Sequence, residues 1–198
     1  MRAFCITLPE TPERTAKATA HFKERSVQVT FFNGINAEVA GLQTEHLYEV
    51  DNPGSGFKIG YHPTGIFLSH WALWSALTLQ PDEHFMILEI DAKFHPDWHL
   101  RTDAALRDAP SDFDMLFLGS CCCKDAPKKH IKGEIWEVKY PACFHAYVIA
   151  KKALPIMLSM RRIFAPVDIQ PVWEAYPRMK VLALLPRTVD QFDTVISP

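Results

Sequence analysis

The sequence predicts an α/β fold in which a mostly parallel sheet is flanked by helices. Three observations carry that prediction. The chain opens strand, helix, strand; the continuous apolar run Phe85–Leu88 has the character of a strand buried on both faces; and strand and helix patterns keep alternating along the chain. With 198 residues it is long enough for a sizeable core, and it reads as one domain spanning 1–198.

The elements follow in order. Phe4–Leu8 is short, apolar and closed by Pro9, the pattern of a buried strand. Thr11 is placed to cap a helix, Pro12 suits its first position, and the helical composition lasts to Ser26. A second strand over Val27–Phe32 ends at Asn33-Gly34, and from Leu42 to Gly60 the pattern dissolves into a long polar loop, expected to close over a ligand. Thr64 is the expected cap of a helix whose apolar face holds Ile66, His70, Leu73, Trp74 and Leu77. The central strand Phe85–Leu88 runs into Glu89-Ile90-Asp91. A helix over Asp97–Arg107 and strands at Asp114–Leu118, Glu134–Tyr140 and Phe144–Ile149 come next, then helices at Lys151–Met160 and Asp168–Tyr176 and a strand at Val181–Leu185. Lys124, Lys128, Lys129 and Lys132 read as a solvated, charged loop.

Composition excludes several classes of function. Lys plus Arg number 21 against 23 Asp plus Glu, so no basic excess draws the chain to nucleic acid. No run reaches the roughly 20 apolar residues of a membrane span, and residues 1–9 lack the pattern of a secretory signal, which makes the cytoplasm the default expectation. Five cysteines, three of them adjacent at Cys121–Cys123, form neither a disulfide framework nor paired zinc spacing, so reduced thiols are expected.

Ligands of open α/β sheets bind beyond the carboxyl ends of the strands, where Glu89 and Asp91 fall. Two carboxylates on an extended segment can share Mg²⁺ or Mn²⁺ and leave positions for phosphate oxygens; the bland reading is a solvated turn. Other polar residues divide similarly. His70 is a core histidine or a catalytic one, and Asp168 is a helix cap or a catalytic carboxylate. His95 and His99 read as a solvated pair, and Asp190 and Asp193 as a polar tail. Trp74 is core, while Trp71 and Trp98 are able to stack on sugars.

Several motifs in series resemble glycosyltransferase family 25, which includes lipopolysaccharide β-galactosyltransferases and relatives of collagen galactosyltransferases. They are Ile6-Thr7-Leu8-Pro9 with Arg14, Gly65-Ile66-Phe67-Leu68-Ser69-His70, Leu88-Glu89-Ile90-Asp91, His145-Ala146-Tyr147-Val148-Ile149-Ala150, Pro166-Val167-Asp168, and Pro186 with Gln191. Ile90 stands where the family carries an acid, and Thr64 where it often does.

The resemblance implies a GT-A fold, a uridine diphosphate hexose donor and inverting transfer to a hydroxyl of a glycan, glycolipid or protein. It assigns donor contacts to Leu8, Pro9, Arg14, Gly34, Ser69, His70 and Gln191, and a Mn²⁺ or Mg²⁺ ion to Asp91 and Glu89. Asp168, Glu89 and His145 are its candidates for the general base that inversion needs. Two other readings use the same residues: an inactive nucleotide-sugar or glycan binder, and a metal-dependent hydrolase.

Overall fold

The computed structural model describes residues 1–42, 60–121 and 128–192. The mobile lid expected at Leu42–Gly60 falls almost wholly outside those residues, as do Lys124 and Asp193. The chain runs β1 (Arg2–Thr7), α1 (Pro12–Glu24), β2 (Thr30–Asn33), α2 (Tyr61–Leu77), β3 (His84–Glu89), β4 (Ala92–Phe94) and α3 (Trp98–Asp108). It continues through β5 (Met115–Gly119), β6 (Lys128–Lys132), β7 (Ile135–Val138), β8 (Ala146–Ala150), α4 (Leu154–Leu158), α5 (Pro171–Glu174), β9 (Val181–Leu184) and β10 (Val189–Gln191).

Eight strands form one sheet in the order β2-β1-β3-β8-β5-β9-β7-β6. All run in one direction except β8 and β7, which are antiparallel to their neighbours. The small second sheet pairs β10 with β4, in register from Val189–Phe94 to Gln191–Ala92. Helices cover both faces, so inner strands are apolar on both sides and successive residues alternate between two cores. Phe85, Ile87, Met115, Phe117, Tyr147 and Ile149 pack with Leu73 and Trp74 of α2 and with Leu154 and Met157 of α4. Met86, Leu88, Leu116, Leu118, Ala146 and Val148 pack with Ala18 and Phe22 of α1 and with Ala105 of α3.

Several boundaries differ from expectation for local reasons. Helix α2 starts at Tyr61 with Gly60 at its N-cap, which puts Thr64 inside the first turn, fully buried, rather than at the cap. The region Lys151–Met160 begins as a 3-10 turn before α4, and Asp168–Tyr176 yields only the single turn of α5 and a following 3-10 turn. Lys128–Lys132 is a strand rather than a charged loop, because His130 and its neighbours pair across to Trp136 on β7. The short strands β4 and β10 escape sequence reading, since three residues carry too little periodicity to register.

The expectation of reduced thiols is overturned at one pair: Cys121 and Cys143 form a disulfide. Spacing along the chain does not reveal it. Antiparallel pairing of β5 with β8 carries their flanking residues together, and Cys121 N–H donates to the Ala142 carbonyl at 3.1 Å. Cys5 is buried and free. Of the expected solvated pair His99 is exposed and His95 half-exposed, and His95 Nε2 also lies 2.7 Å from Oδ2 of Asp190, which stands on β10 rather than in a polar tail.

Candidate active site

The carboxyl ends of β1 and β3 open into a cleft of about 720 Å³. Its walls include Leu8 and Arg14 from the β1–α1 segment, Asn36 and Glu38 after β2, Tyr61, His62, Ser69 and His70 from α2, and Glu89, Ile90 and Asp91. A smaller cleft of about 180 Å³ is lined by Pro63, Cys143, Phe144, Asp168 and Gln191. Both are bounded by Ile66 and Glu89.

The structure divides the expected site residues into three groups. Leu8, Arg14, Ser69, His70, Glu89 and Asp91 line the larger cleft, and Glu89, Asp168 and Gln191 line the smaller one. Pro9 faces a neighbouring groove between β1 and α1 instead. Gly34 sits beneath the site, where a Cβ would come within 2.9 Å of Ser69 Oγ and 3.0 Å of Ile6 Cγ2. Ser69 serves the same packing: its buried hydroxyl donates to the Gly65 carbonyl at 2.6 Å and accepts from Ile35 N–H at 2.7 Å, fixing the loop after β2 against α2. His145 is 1 % exposed and lines neither cleft.

Glu89 terminates β3 and is gripped from the interior. Oε1 lies 3.0 Å from His70 Nε2, and His70 Nδ1 lies 2.9 Å from the Tyr147 hydroxyl. That hydroxyl accepts from Trp74 Nε1–H at 2.9 Å. The indole can only donate, so a consistent assignment runs in one direction: Trp74 donates to Tyr147, Tyr147 donates to His70 Nδ1, and His70 Nε2–H donates to Glu89. His70 thus unites the two readings of it, being fully buried yet bonded to a cleft carboxylate. Tyr147 was missed as a functional residue, although a tyrosine inside an apolar central strand signals that its hydroxyl needs a buried partner.

Asp91 differs from Glu89 in its surroundings. Burial, with the charge of Glu89 adding to it, pushes its pKa up to about 6. Gln191 Nε2–H donates to Oδ2 at 3.0 Å, whereas Oδ1 is buried with no hydrogen-bond partner among the described residues. Ile90, the departure from the acidic run, lines the larger cleft and packs against the core that includes α1 and α3. Asp168 Oδ2 accepts from Cys143 N–H at 2.9 Å, and burial raises its pKa. It therefore braces the segment before β8 and does not cap α5, whose N-cap is Gln170. Of the tryptophans, Trp74 is core, Trp98 donates to the Arg25 carbonyl, and Trp71 is exposed.

A mostly parallel sheet whose strands β1 and β3 end in a cleft with paired acids places the ligand site at the strands' carboxyl ends, and the fold is GT-A-like. It aligns with the crystal structure of a glycosyltransferase involved in the glycosylation of the major capsid of PBCV-1, at TM-score 0.53 and 14 % identity, covering 92 % of this chain and 79 % of that one. Residues 1–169 match the sequence model of glycosyltransferase family 25 (LPS biosynthesis protein), and the chain belongs to that family. It is 26 % identical over 182 residues to a glycosyltransferase 25 family member of Anopheles gambiae and 25 % identical over 184 residues to one of Drosophila melanogaster. These alignments cover 83 % and 84 % of this chain, but only 30 % and 29 % of the relatives. A human relative, 21 % identical over 125 residues, covering 59 % of this chain and 21 % of its own length, bears the name inactive glycosyltransferase 25 family member 3. No helix among the described residues is long and apolar enough to cross a membrane.

Proposed function

We propose that this protein is an inverting hexosyltransferase that moves galactose or glucose from a uridine diphosphate donor to a hydroxyl of a glycan, a glycolipid such as lipopolysaccharide, or a protein. The observation that carries this reading is the position of Glu89 on the boundary of two clefts, the larger for the donor and the smaller for the acceptor. A base for inverting transfer has to stand between the two substrates and reach the attacking hydroxyl.

The residues present fit a divalent cation at the acidic pair. Asp91 offers a buried oxygen without a partner among the described residues and carries a raised pKa, two penalties that Mn²⁺ or Mg²⁺ would relieve. Asp91 would hold the ion, with Glu89 adding charge beside it, and the ion would neutralise charge on the departing diphosphate. Arg14, exposed on the cleft wall near Asp91, adds a positive charge for the phosphates.

Glu89 takes the proton as the acceptor oxygen bonds to the anomeric carbon; the carbon–phosphate oxygen bond breaks on the opposite face, and the diphosphate leaves with the electron pair. The His70–Tyr147–Trp74 chain fixes the carboxylate in place for that step and keeps one of its oxygens occupied. Asp168, across the smaller cleft, orients the acceptor by accepting from a second hydroxyl.

The test is transfer from radiolabelled uridine diphosphate hexoses to lipopolysaccharide and collagen-type acceptors, with wild type and Glu89→Gln. The amide keeps the hydrogen bond with His70 but cannot take a proton, so kcat falls about 100-fold or more while donor binding persists. Equal transfer by both proteins would sink the base assignment. Donor binding without transfer or hydrolysis would favour the binding-only reading, which Ile90 and the inactive human relative motivate.

A further inference from the structure

The segment just after β5 and the segment leading into β8 bring together Cys121, Cys143 and His145. One ligand atom from each lies within 4.8 Å of the others. His145 is 1 % exposed, and its Nε2 faces the Val189 carbonyl at 3.2 Å. A carbonyl only accepts, so this nitrogen bears the proton and the lone pair resides on Nδ1. Nδ1 is buried and has no hydrogen-bond partner among the described residues. An imidazole whose tautomer is fixed by a backbone carbonyl, with its other nitrogen unpartnered among the described residues, is prepared as a metal ligand. Burial lowers the His145 pKa and so keeps the ring neutral, the form that binds cations. At Gly119 a Cβ would collide with His145 Nε2 and with the Val189 carbonyl, so the chain leaves that space free for this ring and its backing carbonyl.

We propose that the reduced chain binds a borderline-soft cation, Zn²⁺ foremost, through the thiolates of Cys121 and Cys143 and the imidazole of His145, a site that the disulfide closes. Three sulfur and nitrogen donors with one position left for water form a tetrahedral set, and zinc–sulfur bonds of about 2.3 Å place two sulfurs roughly 3.8 Å apart. The Cα atoms of the two cysteines, 5.7 Å apart, permit that separation by side-chain rotation alone. The conversion is balanced: a dithiol reductant gives two electrons and two protons to the disulfide and becomes a disulfide itself, and the cation then displaces both thiol protons. On the proposed function, the hard carboxylate oxygens of Glu89 and Asp91 would take Mn²⁺ or Mg²⁺ instead, so the two sites would sort cations by softness.

The experiment uses the full chain carrying Cys122→Ser and Cys123→Ser, which removes the adjacent thiols from the count. The protein is reduced with a dithiol, freed of it under anaerobic conditions, and titrated with Zn²⁺ against a chromogenic chelator and with Co²⁺ by absorption. One equivalent of Zn²⁺ and a thiolate-to-cobalt charge-transfer band are expected in the reduced chain, with neither after oxidation. Cys121→Ser and Cys143→Ser each weaken binding about tenfold or more, and His145→Gln alters the cobalt spectrum. If His145→Gln does not fold, the cysteine variants, on the half-exposed side of the cluster, carry the test. Absence of binding by the reduced chain, or binding undiminished in both cysteine variants, overturns the proposal.

Discussion

His70 secures Glu89 from inside the protein: its Nε2 stands 3.0 Å from Oε1 of the carboxylate, and its other ring nitrogen rests on Tyr147, whose hydroxyl also receives the Trp74 indole. Tyr147→Phe removes the one atom that serves both neighbours. Trp74 Nε1–H is then buried without an acceptor, which costs about 1–3 kcal/mol of stability. Urea unfolding measures that loss, and kcat is expected to fall with little change in the donor KM, because in the proposed mechanism the network orients the base rather than the nucleotide.

Asp91 makes the metal-free protein lose stability with rising pH. Its folded pKa of about 6 lies above the ordinary 3.8, so between those values the folded state holds a proton that the unfolded state has released. Stability is therefore greatest below about pH 4 as far as this group is concerned, and it declines through pH 6. Asp91→Asn abolishes that decline and leaves the metal-free variant more stable than wild type at pH 7.5, while Mn²⁺ ceases to raise its Tm. Thermal melts at pH 5 and 7.5, with and without Mn²⁺, check both outcomes.

Asp168→Asn separates support from acceptor binding. The amide oxygen still accepts from Cys143 N–H, so the fold persists. The acceptor KM is expected to rise about tenfold, the effect of one lost charge-assisted hydrogen bond of about 1.4 kcal/mol. Donor hydrolysis without acceptor stays unchanged, which steady-state kinetics under both conditions will show.

Gly65→Ala tests how tightly α2 seats against the loop after β2. A Cβ there would lie 2.6 Å from the Ile35 carbonyl oxygen and 3.2 Å from Ala37 N, both backbone atoms with little freedom to yield. Overpacking of this kind costs about 1–3 kcal/mol, and it displaces the turn that bears His70. Chemical denaturation is expected to report the loss, together with weaker donor binding.

The fold was legible wherever hydrophobic pattern had room to repeat. Phe85–Leu88 is a fully buried central stretch of β3, and α2 buries His70, Leu73, Trp74 and Leu77 on the expected face. Leu8, Arg14, His70, Glu89 and Asp91 do share a cleft, since residues at the ends of neighbouring parallel strands are brought together by topology. What stayed hidden depends on contacts between distant segments. Nothing in Cys121–Cys123 tells which thiol meets Cys143, nothing near Asp190 foretells a ladder with β4, and the service of Tyr147 to His70 appears only once β8 lies beside β3.

The pairing of β10 with β4 completes the surroundings of Asp91. Asp91 and its amide partner Gln191 are 100 positions apart, and Phe192 N–H closes on the Asp91 carbonyl at 2.8 Å. Loop-closure cost rises only slowly with separation, so what sets this contact apart is its dependence on β10 docking against β4. A chain halted at residue 185 would possess the strand that carries the acids, yet it would lack Val189 from the second core and the amide that meets Asp91. The amide that meets Asp91 is thus delivered by a segment remote in sequence, and a molecule cleaved ahead of β10 would keep its acidic pair while losing the partner that steadies Asp91.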